Sequence, residues 1–588
     1  MSIQELAMKQ IFQKFTNDGK KLLPEPLTRK CREIHEKIKL SCGAELDTTV
    51  YLPVYQKQEK WPVILVRNPY YANNMLLRIV YRPLVEQGYA LVLVTVRGAL
   101  DSTGDWLPFE HEREDGRQVV DWIAEQTWCD GNIGTMGGSY LGHTQWSIAD
   151  YDHPALKAMC ILMYGTSGYD LFWRRGMFRQ EVWTPWAGQM MEENRFGKVK
   201  PKDSDKEMWE FSPQEKLGEH LVGKKCGWYL DWIKNSRETD FYWSEGFWGE
   251  FEQGGKNARV PMLMQGGWFD IFQRSQFRAF RQLPEEIRKQ SRFVVGPWDH
   301  GDPVFATVTG KAHYPEESVT GLMFTAAAVE WFDHMLKGKP YPHEKGTLTA
   351  YCIGENKWHT WRGDIPREQT LKLFLNQDIS RDNPKGRSLS SEAATAVGQV
   401  EYRYDPADPV PMIGMPCISG DAATPGLGEN KLFQPEPGFR EDVVTFISEP
   451  FPEAVTIAGA IKAVLYVASD AKATAFTVNV MEMRADGNSD SIREDISDIR
   501  WRDEKNVYDY TPGEVVRLEL VMKDVVYQLK KESRIRVDIS SSCFPLYHVH
   551  PNTDEDWYVE GDMKTANQKI FCGGENNSGI EIPVLTKL

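Results

Sequence analysis

The chain has no long hydrophobic run. Its longest purely apolar stretches are strand-sized, Ala90 to Val94 among them, whereas a membrane-crossing helix needs about 20 such residues, so no membrane partner is expected. Basic blocks are missing as well. With 69 basic residues against 84 acidic ones the formal net charge is −15, the wrong sign for a polyanion, and nucleic acid drops out as a partner. Cysteine is sparse: nine residues, odd in number and widely scattered, suit a reducing compartment better than a disulfide framework. The stretch Met1 to Lys21 is charged and lacks the apolar centre of a signal peptide, which makes the cytoplasm the expected location. No phosphate-cradling or dinucleotide-binding glycine pattern occurs, nor any internal repeat, and no cofactor is expected.

What the chain does carry is a serine among glycines. Ile133-Gly134-Thr135-Met136-Gly137-Gly138-Ser139-Tyr140-Leu141-Gly142 follows a short apolar run and precedes a helix-compatible stretch. This is the pattern of a nucleophile elbow, in which small residues let a strand turn sharply into a helix with the serine hydroxyl projecting into a cleft. The pattern is imperfect, because Leu141 stands at the last small position and Gly142 follows one residue later.

Two further motifs supply the groups that serine chemistry requires. Gly266-Gly267-Trp268-Phe269-Asp270 follows the apolar run Val260 to Met264, and Gly296-Pro297-Trp298-Asp299-His300 follows Phe293 to Val295. Ser139, Asp270 and His300 thus occur in the chain order Ser, Asp, His of α/β-hydrolases, each just past a predicted strand. A serine hydroxyl is a weak nucleophile at neutral pH, so an imidazole must take its proton and return it to the leaving group. His300 is assigned that task. A carboxylate must hold the imidazole in the right tautomer and stabilise the imidazolium. Asp270 is preferred over Asp299, which adjoins His300 in sequence and would point elsewhere in an extended segment.

The oxyanion that forms must meet preorganised donors. The N–H of the residue after the nucleophile, Tyr140, is one. A second donor is expected from the loop after an earlier strand, Pro62 to Val66, which ends in Arg67-Asn68-Pro69-Tyr70; the Tyr70 hydroxyl is a candidate there, with a packing role as the alternative.

These residues resemble the CocE/NonD group of serine hydrolases, which takes in cocaine esterase and the X-Pro dipeptidyl-peptidases. The resemblance runs through Val66 to Tyr70, Arg97-Gly98, Trp128 to Gly134, the elbow Ser139 to Gly142, Gly267 to Asp270, Gly296 to His300, Asp405 to Pro411 and Ser540 to Pro545. It implies a triad of Ser139, Asp270 and His300, with the Tyr70 hydroxyl and the Tyr140 N–H as oxyanion donors. Departures are Thr95-Val96 where the group often has Asp-Thr, Gly138 in place of a bulkier residue, and roughly thirty extra residues at the start.

Along the chain, Glu5 to Phe15 suggests a short amphipathic helix, and residues 1–32 are taken as an extension. The α/β-hydrolase part is expected over 33–167 and 258–345. Val63 to Val66 and Ala90 to Val96 are strand-like, Val119, Val120, Ile123 and Ala124 form a helical stripe, and Pro83 must kink a helix over Met75 to Gln87 or open a second one. Residues 168–257 break the alternation and hold eight tryptophans, as a helical cap would. From 346 to 588 the period becomes two, as in Phe476 to Val480, Val516 to Leu520 and Ile535 to Ile539, which predicts half-buried antiparallel strands in a β-sandwich; the resemblance implies a jelly roll.

Weaker features complete the reading. Phe272 and Trp173 are candidate pocket residues, Cys129 and His143 are expected to be structural, and His548-Val549-His550 with Asp554 lacks a third metal ligand, so no metal is expected. The expected activity is cleavage of a small-molecule ester or amide through an acyl-enzyme on Ser139, in a protein for which a homodimer is an open option. An amino-ester hydrolase or X-Pro dipeptidyl-peptidase is the alternative, needing carboxylates such as Asp170, Glu181, Glu192 and Glu193 near a substrate ammonium. The further alternative is a non-catalytic protein that binds through its sandwich domain.

Overall fold

A computed structural model describes residues 23–70, 74–191, 203–300, 323–413 and 433–586. The helix suggested over Glu5 to Phe15 lies outside them. Apolar runs without alternation, such as β3 (Trp61–Asn68), are buried along almost their whole length, because helices cover both faces of the sheet they join. With β1 (Cys31–Lys39), β2 (Glu45–Pro53), β4 (Ala90–Thr95), β5 (Cys129–Gly138), β6 (Leu156–Leu162), the cap strands β7 (Trp173–Arg174) and β8 (Met177–Phe178), β9 (Met262–Gly267), β10 (Arg292–Gly296), β11 (Thr347–Cys352) and β12 (Lys357–Arg362), the strand inventory of this half is complete among the described residues. Ten of these strands form one sheet in the order β1, β2, β4, β3, β5, β6, β9, β10, β11, β12. The seven strands from β4 to β11 run parallel, and β1, β2 and β12 are antiparallel additions at the edges.

The crossovers are helices. α1 (Asn74–Glu86) keeps Pro83 inside a single helix, and Gly88 at φ +86° stops it, its N–H donating back to the Val85 carbonyl. α2 (Glu112–Ala124) precedes β5, and α3 (Tyr140–Trp146) follows it. The cap enters after β6 as α4 (Gly168–Phe172), the β7–β8 hairpin, α5 (Gln180–Met190) and, among the described residues, five further α-helices and one 3-10 turn that end with Gly246–Lys256. Six of its eight tryptophans, Trp173, Trp183, Trp209, Trp232, Trp243 and Trp248, are buried: most of the aromatic richness is the core of a small lid. α6 (Gln273–Gln282) then follows β9, and α7 (Met323–Lys337) precedes β11.

The sheet corrects the expected domain boundary at 345/346. It continues through β11 and the edge strand β12 to Arg362. In β12 only His359 and Trp361 are half-buried, between exposed neighbours, as in an antiparallel edge strand covered on one face. Beyond it all regular structure among the described residues is β. Twelve strands, from Gln369–Ile379 to Gly579–Leu585, join in one hydrogen-bonded set.

Half-burial, however, holds only for part of this domain. Val516–Leu529 alternates at its start, but Arg534–Ser540 is buried on both faces. Its polar members are enclosed with their partners: Arg536 grips Asp538 through Nε at 2.9 Å and Nη2 at 2.6 Å, and Asp538 also accepts from Thr445. The two halves are tied by the Gln528 N–H to Ile353 carbonyl bond of 2.7 Å and by Arg174 of the cap, which grips Asp495 with two bonds of 2.6 Å.

Candidate active site

Ser139 sits between the end of β5 and the start of α3 at φ 57°, ψ −127°, a left-handed conformation that a residue with a Cβ adopts at a cost. The neighbouring glycines make room for it. A Cβ on Gly137 would lie 2.4 Å from the Leu141 Cβ, and one on Gly142 would lie 2.7 Å from the Tyr164 Cβ. This explains the imperfect motif: Leu141 is accommodated because Gly137 has no side chain, and the close approach is shifted to Gly142.

Asp270 and His300 lie just past the carboxyl ends of β9 and β10, which are neighbours in the sheet; only β6 separates β9 from β5. Asp270 is fully buried. Its Oδ1 accepts the Phe272 N–H at 2.8 Å and its Oδ2 lies 2.5 Å from His300 Nδ1. An acceptor-only carboxylate requires the proton on Nδ1, so Nε2 is left to exchange a proton with something else. Asp299 is buried beside it, but Asp270 is the carboxylate on His300 Nδ1.

Tyr70 approaches from the loop after β3, which Asn68 shapes by accepting the Tyr70 N–H and donating to the Tyr70 carbonyl. Its hydroxyl is hydrogen-bonded to the Ser139 side chain and accepts from Trp186 Nε1 at 3.2 Å. Burial pushes this phenol up to about 12, against the pull of those two hydrogen bonds, so it keeps its proton at neutral pH. The Tyr140 N–H belongs to the first turn of α3, where helix geometry provides no intrahelical acceptor. The Tyr140 hydroxyl turns away, donating to Glu112 Oε1 and accepting the Phe109 N–H, both at 2.9 Å.

Behind the elbow is a buried ion pair. Arg67 Nη1 meets Glu112 Oε2 at 3.0 Å, and its Nη2 donates to the Thr144 carbonyl. Burial pushes the Glu112 carboxyl up to about 7, a rise that Arg67 opposes. Sequence spacing gave no sign of Glu112 or of Trp186. His143 packs its ring 4.2 Å from Phe251, and its Nε2 is 3.1 Å from the Phe109 carbonyl, the structural role expected of it.

Of the two pocket candidates, Phe272 lies edge-on to His300 with ring centres 5.2 Å apart and is 5.9 Å from Trp183. Trp173 goes elsewhere. Its ring lies against Phe178 and His548 and its Nε1–H donates to the Trp232 carbonyl at 2.8 Å, which puts it at the junction with the C-terminal domain; the cap tryptophans beside Phe272 and Tyr70 are Trp183 and Trp186. Asp170 is held by Arg278 at 3.1 Å, Glu181 is buried, and Glu192 and Glu193 lie outside the described residues. His548 Nδ1 accepts the Phe178 N–H, His550 faces Asp498, and Asp554 pairs with Lys472. No helix among the described residues is long and apolar enough to cross a membrane.

Comparison with known proteins bears on this site. Residues 43–302 match the X-Pro dipeptidyl-peptidase (S15) family, and residues 353–581 match the X-Pro dipeptidyl-peptidase C-terminal non-catalytic domain. The chain is 28% identical to a cocaine esterase of Rhodococcus over 93% of its own length and 97% of the relative's. Among solved structures, an aminopeptidase from a Thaumarchaeota archaeon of marine sediment superposes with a TM-score of 0.81 at 23% identity, covering 96% of this chain and 98% of that one. An alpha-amino acid ester hydrolase does so with 0.78 at 21%, over the same shares. The architecture is that of these proteins, an α/β-hydrolase core with a C-terminal β domain. An enzyme rather than an inert binding protein follows, and the chain belongs to the CocE/NonD family of serine hydrolases within the X-Pro dipeptidyl-peptidase superfamily.

Proposed function

We propose that the chain hydrolyses a small carboxylic ester through an acyl-enzyme on Ser139. The observation that carries this reading is the 2.5 Å contact of fully buried Asp270 Oδ2 with His300 Nδ1, at the same sheet end as the strained Ser139 and the protonated Tyr70 hydroxyl hydrogen-bonded to it. In the proposed cycle His300 Nε2 takes the Ser139 proton as the oxygen attacks the ester carbonyl. Asp270 keeps Nδ1 protonated and stabilises the imidazolium. The carbonyl oxygen, becoming an oxyanion, meets the Tyr70 hydroxyl and the Tyr140 N–H. His300 then gives its proton to the departing alcohol, and water enters by the reverse sequence to release the acid. Phe272, Trp183 and Trp186 offer an aromatic wall for an acyl or alcohol group.

An ester is favoured over a substrate with a free ammonium group. Arg278 binds Asp170, Glu238 and Glu252 together, at 2.8 to 3.1 Å, so these cap carboxylates already have a cation. The name of the Rhodococcus relative points the same way. A reducing, cytoplasmic setting is part of the reading, on the strength of the scattered cysteines.

The test is a panel of p-nitrophenyl acyl esters beside Xaa-Pro and aminoacyl anilides, run on the wild type and on Ser139→Ala. Ester turnover that drops about 10⁴-fold or more in the variant is expected, with fluorophosphonate labelling of the wild type alone. Undiminished turnover in Ser139→Ala removes the assignment, and anilides cleaved in preference to esters replace the ester reading with the peptidase one.

A further inference from the structure

Arg67, on β3 just before the loop that carries Tyr70, and Glu112, at the first position of α2, are 3% and 4% exposed. An apolar pair of similar volume would join β3 to α2 as well or better, because taking two charges out of water costs much of what their attraction returns. The pair also imposes a glycine on the interior of α2. A Cβ on Gly116 would lie 2.4 Å from Arg67 Nη2 and 2.6 Å from its Cζ, and an interior glycine weakens a helix. Two local rules give way at one place, which marks a constraint other than stability.

What the pair reaches is the elbow helix. Arg67 Nη2 donates to the Thr144 carbonyl, while Nη1 meets Glu112 Oε2 at 3.0 Å. The other Glu112 oxygen accepts the Tyr140 hydroxyl at 2.9 Å, and that hydroxyl accepts the Phe109 N–H, also at 2.9 Å. β3 therefore holds α3 at two points one turn apart: the backbone at Thr144 directly, and the Tyr140 side chain through Glu112. Within α3 the Gly142 and His143 N–H groups close on the Ser139 carbonyl, which shapes the turn but does not place it against β3.

We propose that Glu112 is a positioning residue for the oxyanion donors, acting through the Tyr140 side chain. The two donors stand on different segments, the Tyr140 N–H on the elbow and the Tyr70 hydroxyl on the loop after β3, and their rings meet edge to face at 6.2 Å. An oxyanion bound by both needs them placed relative to each other to within about 0.5 Å. Arg67 shares β3 with the root of the Tyr70 loop, and Glu112 ties Arg67 to Tyr140. The ion pair thus fixes one donor against the other without either charge touching the substrate. The role rests on the ester-hydrolysis reading of Ser139 and extends it to α2.

Tyr140→Phe removes the hydroxyl and keeps the ring and the N–H. For one p-nitrophenyl ester, with rates counted per fluorophosphonate-labelled site, kcat is expected to fall on the order of 10-fold while KM stays within about twofold. An arylboronic acid, whose adduct with Ser139 presents an oxygen where the oxyanion forms, should bind more weakly by the same factor. A merely structural role would lower the number of labelled sites and leave both constants per site alone. A wild-type kcat per site overturns the proposal, as does boronic acid affinity that stays intact while kcat falls. Should Tyr140→Phe fail to fold, Glu112→Gln decides by the same readouts: its amide oxygen turns to Arg67, and the Tyr140 hydrogen loses its acceptor. Ser139→Ala separates the two readings. Ester turnover that survives it removes the hydrolase assignment, whereas Ser139-dependent turnover indifferent to Tyr140→Phe and Glu112→Gln rejects the positioning role alone.

Discussion

The Trp186 indole N–H donates to the Tyr70 hydroxyl at 3.2 Å, so the cap reaches directly into the group proposed to bind the oxyanion. A phenol oxygen that accepts one hydrogen bond has its own hydrogen free to point at Ser139. Trp186 therefore orients a donor without touching the reacting carbonyl.

Tyr70→Phe is expected to lower kcat on the order of 10²-fold, the usual loss for one oxyanion donor. Trp186→Phe keeps the aromatic wall and removes only the indole donor, and a smaller loss on the order of 10-fold is expected. Because both act through one hydroxyl, the double variant should be no slower than Tyr70→Phe alone. Steady-state kinetics on one p-nitrophenyl ester checks this; losses that multiply would show that Trp186 acts independently of Tyr70.

Asp270→Asn tests the tautomer argument. The Phe272 N–H still finds an acceptor in the amide oxygen, so the loop should hold its shape. The amide nitrogen then faces His300 and moves the ring proton to Nε2, which can no longer accept from Ser139. A fall of about 10⁴-fold in kcat with an unchanged melting temperature is expected. Near-normal turnover would transfer the orienting role to another carboxylate, with buried Asp299 first in line.

How far the sequence alone exposes this site depends on how local each cause is. The elbow, the Gly267 to Asp270 loop and the Gly296 to His300 loop each follow an apolar run, and a strand end is a local signal. Tyr70 was legible for the same reason, standing after β3. Trp186 was not, because eight tryptophans within 90 residues of cap give no hint of which one turns toward the strand ends; Trp173, chosen from among them, packs on Phe178 and His548 instead. Glu112 was hidden differently. An acidic residue at the start of a helix reads as a solvated end, and its burial beside Arg67 depends on how α2 lies across β3 and α3, which no periodicity records. The boundary at 345 fell short because β11 joins the sheet by pairing with distant β10, and β12 by pairing with β11; no local signal says which sheet a strand joins.

Ser139→Gly should raise thermal stability relative to Ser139→Ala. The φ of 57° costs a residue with a Cβ about 1–3 kcal/mol, and glycine removes that cost while adding about 0.5–1 kcal/mol of unfolded-state entropy. The net difference favours glycine by about 1 kcal/mol. Calorimetry on the two inactive variants checks it, and an Ala variant as stable as the Gly variant would mean the elbow is not strained.

Acid sensitivity should trace in part to His143. Burial pushes its imidazole down to about 3, whereas the unfolded ring takes a proton near pH 6.5. Between those values the unfolded state binds the extra proton, so stability falls as pH drops from 6.5 toward 3, by at most about 1.4 kcal/mol per pH unit for one group. His548, whose Nδ1 accepts the Phe178 N–H and whose imidazole burial also pushes down, adds to the same window. Glu112 opposes them, since a carboxyl raised to about 7 gains stability as pH falls from 7 toward 4.5; two histidines against one carboxyl leave a net loss. Carboxylates held low by ion pairs, such as Asp498, contribute only below about pH 4. His143→Gln can still donate to the Phe109 carbonyl and does not titrate. Its melting temperature should therefore fall less steeply than the wild type's between pH 6.5 and 4.5, and parallel curves would show that the His143 imidazole is already charged in the fold.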